Sequence, residues 1–147
     1  MQITKLKIRP PKPSDLNFIQ ATFYKSMRRE STLGRQCSGR VFKQFQEVVD
    51  YILSISTIIV SCVEESEDAI IGYLIYQPEV VHYAYVRPSS QRLDVAKEMI
   101  KHAFPEAKTI TFSLNTNSAK KISDSHPEMI FNPFVLYKRG IDHDRQD

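Results

Sequence analysis

Apolar residues along this chain change their spacing several times, and each change marks an element. Lys5-Leu-Lys-Ile-Arg9 alternates polar and apolar, which predicts a first strand ended by Pro10, Pro11 and Pro13. Ser14 then stands as an N-cap for a helix in which Leu16, Ile19, Phe23 and Met27 share a face. Residues 28–40 hold little apolar content and two glycines, Gly34 and Gly39, so a loop is expected. Helical spacing returns with Val41, Phe45, Val48 and Ile52.

The short β-branched run Thr57 to Val63 predicts a strand. An acidic turn, Glu64 to Asp68, joins it to a partner strand over Ala69 to Tyr76, forming a hairpin. Pro78 and Glu79 break that strand, and Val80 to Val86 supplies the next. Val95, Met99, Ile100 and Ala103 stripe a helix that stops before Pro105. Thr109 to Leu114 reads as a strand, Asn117 to Asp124 as a short helix, and Met129 to Arg139 as one or two strands. The tail from Gly140 is expected to fray. The order β-α-α-β-β-β-α-β-α-β makes residues 1–147 one mixed α/β domain, with neither repeat nor linker.

Composition narrows the class without naming a chemistry. A chain of 147 residues with 41% hydrophobic and 25% charged residues suits one soluble domain. No apolar run approaches the roughly 20 residues of a membrane span, and the N-terminus lacks the apolar core of a signal peptide. Cys37 and Cys62 show neither metal spacing nor a disulfide framework, so a reducing cytoplasm is the expected location. His102, His126 and His143 likewise lack ligand spacing, and no metal is expected. Charge is lopsided. Residues 1–45 carry ten Lys/Arg against Asp15 and Glu30, while the remainder carries ten basic and fifteen acidic residues. Such asymmetry can steer an acidic partner toward one end, although most of these residues simply solvate helix faces. Without aromatic residues interleaved in Arg28–Arg35 and Arg40–Lys43, nucleic-acid binding is not expected.

The element order, together with three local matches, resembles the GCN5-related N-acetyltransferases (GNAT). Ile70-Ile-Gly-Tyr-Leu74 is similar to that family's third strand, and Tyr85-Val-Arg-Pro88 to the end of its fourth. Gln91 to Ala96 falls in register with the family's acyl-CoA loop, Arg/Gln-x-x-Gly-x-Gly/Ala. The resemblance implies a central twisted mixed sheet of six to seven strands flanked by three to four helices. It implies acetyl-CoA as cofactor, held through Tyr85, Val86, Arg87, Gln91, Arg92, Leu93, Asp94, Val95 and Ala96, with Asn117 on the following helix. It also implies that the fourth and fifth strands splay apart to admit the pantetheine arm. By register the proton-accepting base corresponds to His82, with Glu79 just upstream, and the residues between the first two helices line the acceptor side.

Two positions depart from the family pattern. Arg92 stands where glycine is common, and Asp94 stands where glycine is nearly always found. A side chain there holds the backbone off the phosphate. A carboxylate ~5 Å from one phosphate charge, at an effective dielectric of ~20, costs ~3 kcal/mol, or about a hundredfold in affinity. Arg92 offsets part of this if it reaches the pyrophosphate. Asp94 has a structural alternative as a first-turn acid that stabilises its own helix and competes for the same amides. His82 has one too, as a strand residue alternating with Tyr83 and Tyr85. The segment Asn117 to Asp124 contains no tyrosine, which the family commonly uses there to protonate the leaving thiolate.

Two readings remain open. One is an acyl-CoA-dependent N-acetyltransferase with a degraded loop and weak or lost activity, acting on an amine or protein acceptor. The other is a catalytically inactive GNAT-fold protein that binds or builds, similar in size to those encoded among the structural genes of tailed phages.

Overall fold

The computed structural model describes residues 5–125 and 128–136, with the backbone alone at 91–93, 117–118 and 125. Six strands, Leu6–Arg9 (β1), Thr57–Val63 (β2), Ser66–Gln77 (β3), Val80–Val86 (β4), Ile110–Phe112 (β5) and Met129–Phe131 (β6), form one sheet in sequential order among the described residues. Neighbours run antiparallel from β1 through β4, whereas β4–β5 and β5–β6 are parallel. A parallel pair needs a crossover, and α5 (Val95–Ala103) and α6 (Asn117–Ser125) supply the two.

Each sheet face buries a different set of helices. Tyr73, Ile75 and Tyr83 pack under α1 (Leu16–Glu30) and α4 (Phe45–Ile55), where Phe23 stacks on Tyr83 with centroids 4.8 Å apart. On the other face Leu74, Val81 and Phe112 pack against Val95, Met99 and Ile100 of α5. Burying the Tyr73 hydroxyl requires a partner, which Thr22 Oγ1 (2.6 Å) and the Ile19 carbonyl (3.1 Å) provide. That burial pushes the phenol pKa well up.

Strand β1 is fixed to the rest by a buried ion pair. Arg9 Nη1 lies 2.7 Å from Asp15 Oδ2, and Nη2 donates to the Glu67 carbonyl at 2.8 Å. Asp15 also accepts from the Lys12 amide at 2.7 Å. The hydrogen bond from Arg9 holds the Asp15 carboxyl below its ordinary range against the opposing effect of burial.

Several sequence expectations change here. Ser14 does not cap α1; it lies inside a 3-10 turn, Pro13–Asp15, and the helix starts at Leu16 without a side-chain cap. The segment 28–40 is not a loop, because α1 runs on to Glu30 and is followed by α2 (Thr32–Gln36) and α3 (Gly39–Phe42). Capping rather than apolar content forms these helices. Ser31 Oγ accepts from the Gly34 amide at 2.9 Å, and Ser38 Oγ accepts from the Val41 amide at 3.3 Å. Among the described residues the four longer helices α1, α4, α5 and α6 flank the sheet, and α2 and α3 are short additions between α1 and α4.

The buried stripe of α3–α4 is also offset by one residue. Phe42, Phe45, Val49 and Ile52 are buried, while Val41 is 51% and Val48 39% exposed. Stacking of Phe42 on Phe45, at 5.1 Å, chooses that face. Leu16 is exposed as well. The acidic turn shrinks to Glu64-Glu65, because Glu67 joins β3 and pairs with Lys7 and Lys12, which take its carboxyl down to about 2. After β6 the chain breaks at Asn132-Pro133 into a helical turn at 134–136, and the expected strand around Tyr137 and the tail lie outside the described residues. Among the described residues no helix is long and apolar enough to cross a membrane.

Candidate functional site

Strand β4 carries the irregularity that shapes the site. Ile75 opposes Tyr83 and Tyr76 opposes Val81, so the backbone register skips His82, which forms a bulge. The extra residue reverses the facing of the strand, and Val81 joins the α5 side with Ala84 and Val86 while Tyr83 and Tyr85 face α1. On its other edge, β4 pairs with β5 only at Val80 and Val81, and the Ser113 amide adds one bond to the Val81 carbonyl at 3.1 Å. From Tyr83 to Val86 the two strands part. Their separation leaves a narrow cleft lined by His82, Ala84, Leu114 and Thr116 and backed by Ala119 and Ile122 of α6, with a cavity volume of about 10 Å³.

His82 sits at the vertex, 2% exposed. Its Nε2 is 2.8 Å from Gln77 Oε1 and its Nδ1 2.6 Å from Ser113 Oγ. An amide oxygen only accepts, so this pattern assigns the proton to Nε2 and leaves Nδ1 to accept the serine hydroxyl. The imidazole thus stitches β3, β4 and β5 together where the backbone ladder ends. Glu79 lies at the opposite, closed end of the strand in the exposed β3–β4 turn, roughly 20 Å of strand from Val86. Its φ of 63° is left-handed, a conformation that disfavours a side chain. The Glu79 carbonyl accepts from the Thr111 amide at 2.9 Å, so its backbone helps seat β5. His82 is thus buried, whereas Glu79 is exposed.

At the open end, β4 leads through Arg87 into a 3-10 turn, Pro88–Leu93, and then α5. The Arg87 amide bonds the Ile71 carbonyl at 2.7 Å, which holds the exit of the strand. Gly72 permits this close fit, because a Cβ there would stand 2.5 Å from the Tyr85 carbonyl oxygen. Gln91, Arg92 and Leu93 form the last turn before Asp94. Asp94 adopts φ 52°, ψ 30°, the left-handed geometry for which glycine is the usual residue. Its side chain is exposed and makes no capping bond. Asp94 stands at the N-cap of α5, where a negative charge still suits the helix dipole; Glu98 is the acid of the first turn, and its amide makes the first α-helical bond, to the Asp94 carbonyl at 3.0 Å. Amides of Val95, Ala96 and Lys97 precede that bond and have no intrahelical acceptor. Arg87 is exposed and unpaired among the described residues.

Asn117 opens α6, whose cap is Thr116: its Oγ1 accepts from the Ala119 amide at 3.1 Å. Sequence reading missed Gln77, Ser113 and Thr116. Thr116 was legible as a threonine just ahead of a helix; nothing marked the other two. Among the described residues no group of three His, Cys, Asp or Glu side chains could hold a metal ion, and Cys37 and Cys62 are free.

No protein-family model matches the chain, and no curated protein matches it by sequence. Its backbone does match solved structures. Apo-form YjaB from Escherichia coli superposes with a TM-score of 0.61 at 16% identity, covering 82% of this chain and 80% of that one. A GCN5-related N-acetyltransferase from Rhodopseudomonas palustris gives 0.56 at 16% identity over 85% and 83%. A GNAT-family acetyltransferase from Brucella melitensis in complex with acetyl-CoA gives 0.50 at 12% identity over 82% of each chain. Element order, the parting of β4 from β5 and these superpositions together give the chain the fold of the GCN5-related N-acetyltransferases.

Proposed function

We propose that the protein binds acyl-CoA, with acetyl-CoA as the reference ligand, and is an N-acyltransferase of weak turnover. The observation that carries this reading is the backbone of Asp94: between β4 and α5 it keeps a glycine-like left-handed turn although no glycine is present. A left-handed aspartate costs roughly 1 kcal/mol relative to glycine, so the turn is retained against local preference. Pyrophosphate would sit on the amides that open α5, with Arg87 supplying positive charge and Arg92 following in the loop. Pantetheine would lie along β4 from Tyr83 to Val86. The loop is degraded in charge rather than in shape.

Proton removal from an acceptor amine would run through Ser113. Its hydroxyl proton passes to His82 Nδ1 as the amine proton passes to Ser113 Oγ, leaving an imidazolium with both nitrogens bonded. That route asks more of the protein than a base open to the cleft. The burial of His82 and the lack of a tyrosine in Asn117–Ser125 therefore favour a second reading, a CoA-fold protein without catalysis that serves as a binding or structural component, including one of a phage particle.

Calorimetry with acetyl-CoA tests the first step, and release of free CoA thiol over a panel of primary amines tests the second. Heat with thiol release supports the transferase. Heat without thiol release supports the silent binder, and no heat at millimolar acetyl-CoA removes both the ligand and the transferase.

A further inference from the structure

Among the described residues the sheet ends in two edge strands, and they differ in kind. At one end, β1 carries Lys7 and Arg9 within its four residues, and charge on an edge discourages a further strand. At the other end, β6 consists of Met129, Ile130 and Phe131 and is bonded on one side alone, to β5. Ile130 is 53% exposed and Phe131 42%, and Phe134, just past Pro133, is 71% exposed.

The main chain of β6 is also half unpaired. In a parallel ladder one residue directs both its N–H and its C=O at the neighbouring strand, and the next directs both away. The Glu128 carbonyl accepts from the Ile110 amide, and the Asn132 amide donates to the Phe112 carbonyl, each at 3.0 Å. Residues 128, 130 and 132 therefore face β5. Met129 and Phe131 turn their amides and carbonyls to the open edge, where they have no partner among the described residues.

We propose that β6 pairs antiparallel with β6 of a second copy of this chain, about a two-fold axis through Ile130. Inverting the strand about that residue sets Met129 of each copy opposite Phe131 of the other, so every free N–H meets a free C=O. The side chains agree with this register. Ile130 meets its own counterpart on one face. Phe131, stacked on Phe112 at 5.3 Å, meets Met129 on the face that α5 covers. Glu128 falls opposite Asn132, so no like charges confront each other. A foreign strand would have to bring a matching uncharged, apolar triplet, which this chain already supplies to itself. The apolar surface left open on Ile130, Phe131 and Phe134 is roughly 300 Å² per chain, taking roughly 200 Å² for each side chain. That lies below the ~800 Å² per partner of a stable interface, so the dimer forms only at high protein concentration. The inference is independent of acyl-CoA binding.

Sedimentation of the whole protein from about 2 to about 200 μM tests the pairing, beside Ile130→Lys, Ile130→Glu and an equal mixture of the two variants. The parent should pass from monomer to dimer over this range. Each variant alone should stay monomeric, because like charges face each other across the axis, and the mixture should recover the dimer. Hydrogen exchange resolved to single amides should show Met129 and Phe131 protected about tenfold more at the upper concentration, with Ile130 protected at both. A parent that is monomeric throughout, a dimer that either variant leaves intact, or a mixture that fails to associate overturns the proposal. Protection of the Met129 and Phe131 amides already in the dilute monomer overturns it too, since the same chain would then cover its own edge. Position 130 is exposed, and recovery in the mixture requires that both variants fold.

Discussion

His82 Nδ1 and Ser113 Oγ meet at 2.6 Å across the point where β4 and β5 separate. One side-chain bond continues, for a single step, a ladder that the backbone abandons after Val81. Removing the hydroxyl in Ser113→Ala leaves a buried ring nitrogen without that partner. Urea unfolding should report a loss of about 1–3 kcal/mol, with most of the effect gone when the variant is made on His82→Leu. An unaltered midpoint for Ser113→Ala would mean that this bond adds nothing to the seam.

Asp94 offers a gain-of-function substitution. Asp94→Gly removes an exposed negative charge and relieves a left-handed side chain. Screening reduces the full Coulomb figure, so acetyl-CoA should bind about tenfold tighter by calorimetry. Stability should rise by about 1 kcal/mol. Asp94→Asn should recover the charge part of the affinity gain while leaving stability nearly unchanged, and an affinity that does not move in either variant argues against phosphate at this turn.

Glu79 separates a structural role from a chemical one. Its φ of 63° makes Glu79→Gly stabilising by about 1 kcal/mol in thermal or urea unfolding. Acetyl transfer, where detectable, should be unaffected, because this turn lies at the closed end of the strand. A fall in kcat with intact folding would place Glu79 in the chemistry.

Acid should act on the Arg9–Asp15 pair. The Asp15 carboxyl titrates lower in the folded chain than in the unfolded one, so its share of stability is complete above about pH 4 and is lost as pH falls through the folded value. Asp15→Asn leaves the Arg9 guanidinium buried without its counter-charge. A loss of about 3 kcal/mol at pH 7 is expected, together with a flatter stability profile below pH 4. An equal acid slope in parent and variant would assign the acid response to other carboxyls.

The fold was legible where one period runs unbroken. Val95, Met99 and Ile100 set α5, and the β-branched run Thr57–Val63 set β2, as expected. It was less legible where a short device resets the pattern. A strict alternation through Val80–Val86 puts Val81 with Tyr83, and the bulge at His82 places them on opposite faces. Val41 and Val48 match a helical stripe as well as Phe42 and Val49 do; only the ring contacts of Phe42 decide between the two faces. Caps at Ser31 and Ser38 build two helices in a stretch too polar to announce them. At the site, register along the sequence located the turn at Asp94, since a glycine position is a backbone requirement. It could not reach Gln77 and Ser113, which meet His82 only through the folded sheet.

The brevity of the β4–β5 pairing bears on mechanics. Strands β1 to β4 form a meander, and among the described residues β5 joins it through a two-residue register, with amide bonds from Thr111 to Glu79 and from Ser113 to Val81, the His82–Ser113 contact and shared apolar packing. A molecule wedged between the diverging strands would push against that narrow attachment. Occupancy of the cleft and cohesion of the carboxy-terminal third are thereby coupled, and hydrogen exchange at Thr111 and Ser113 would register both at once.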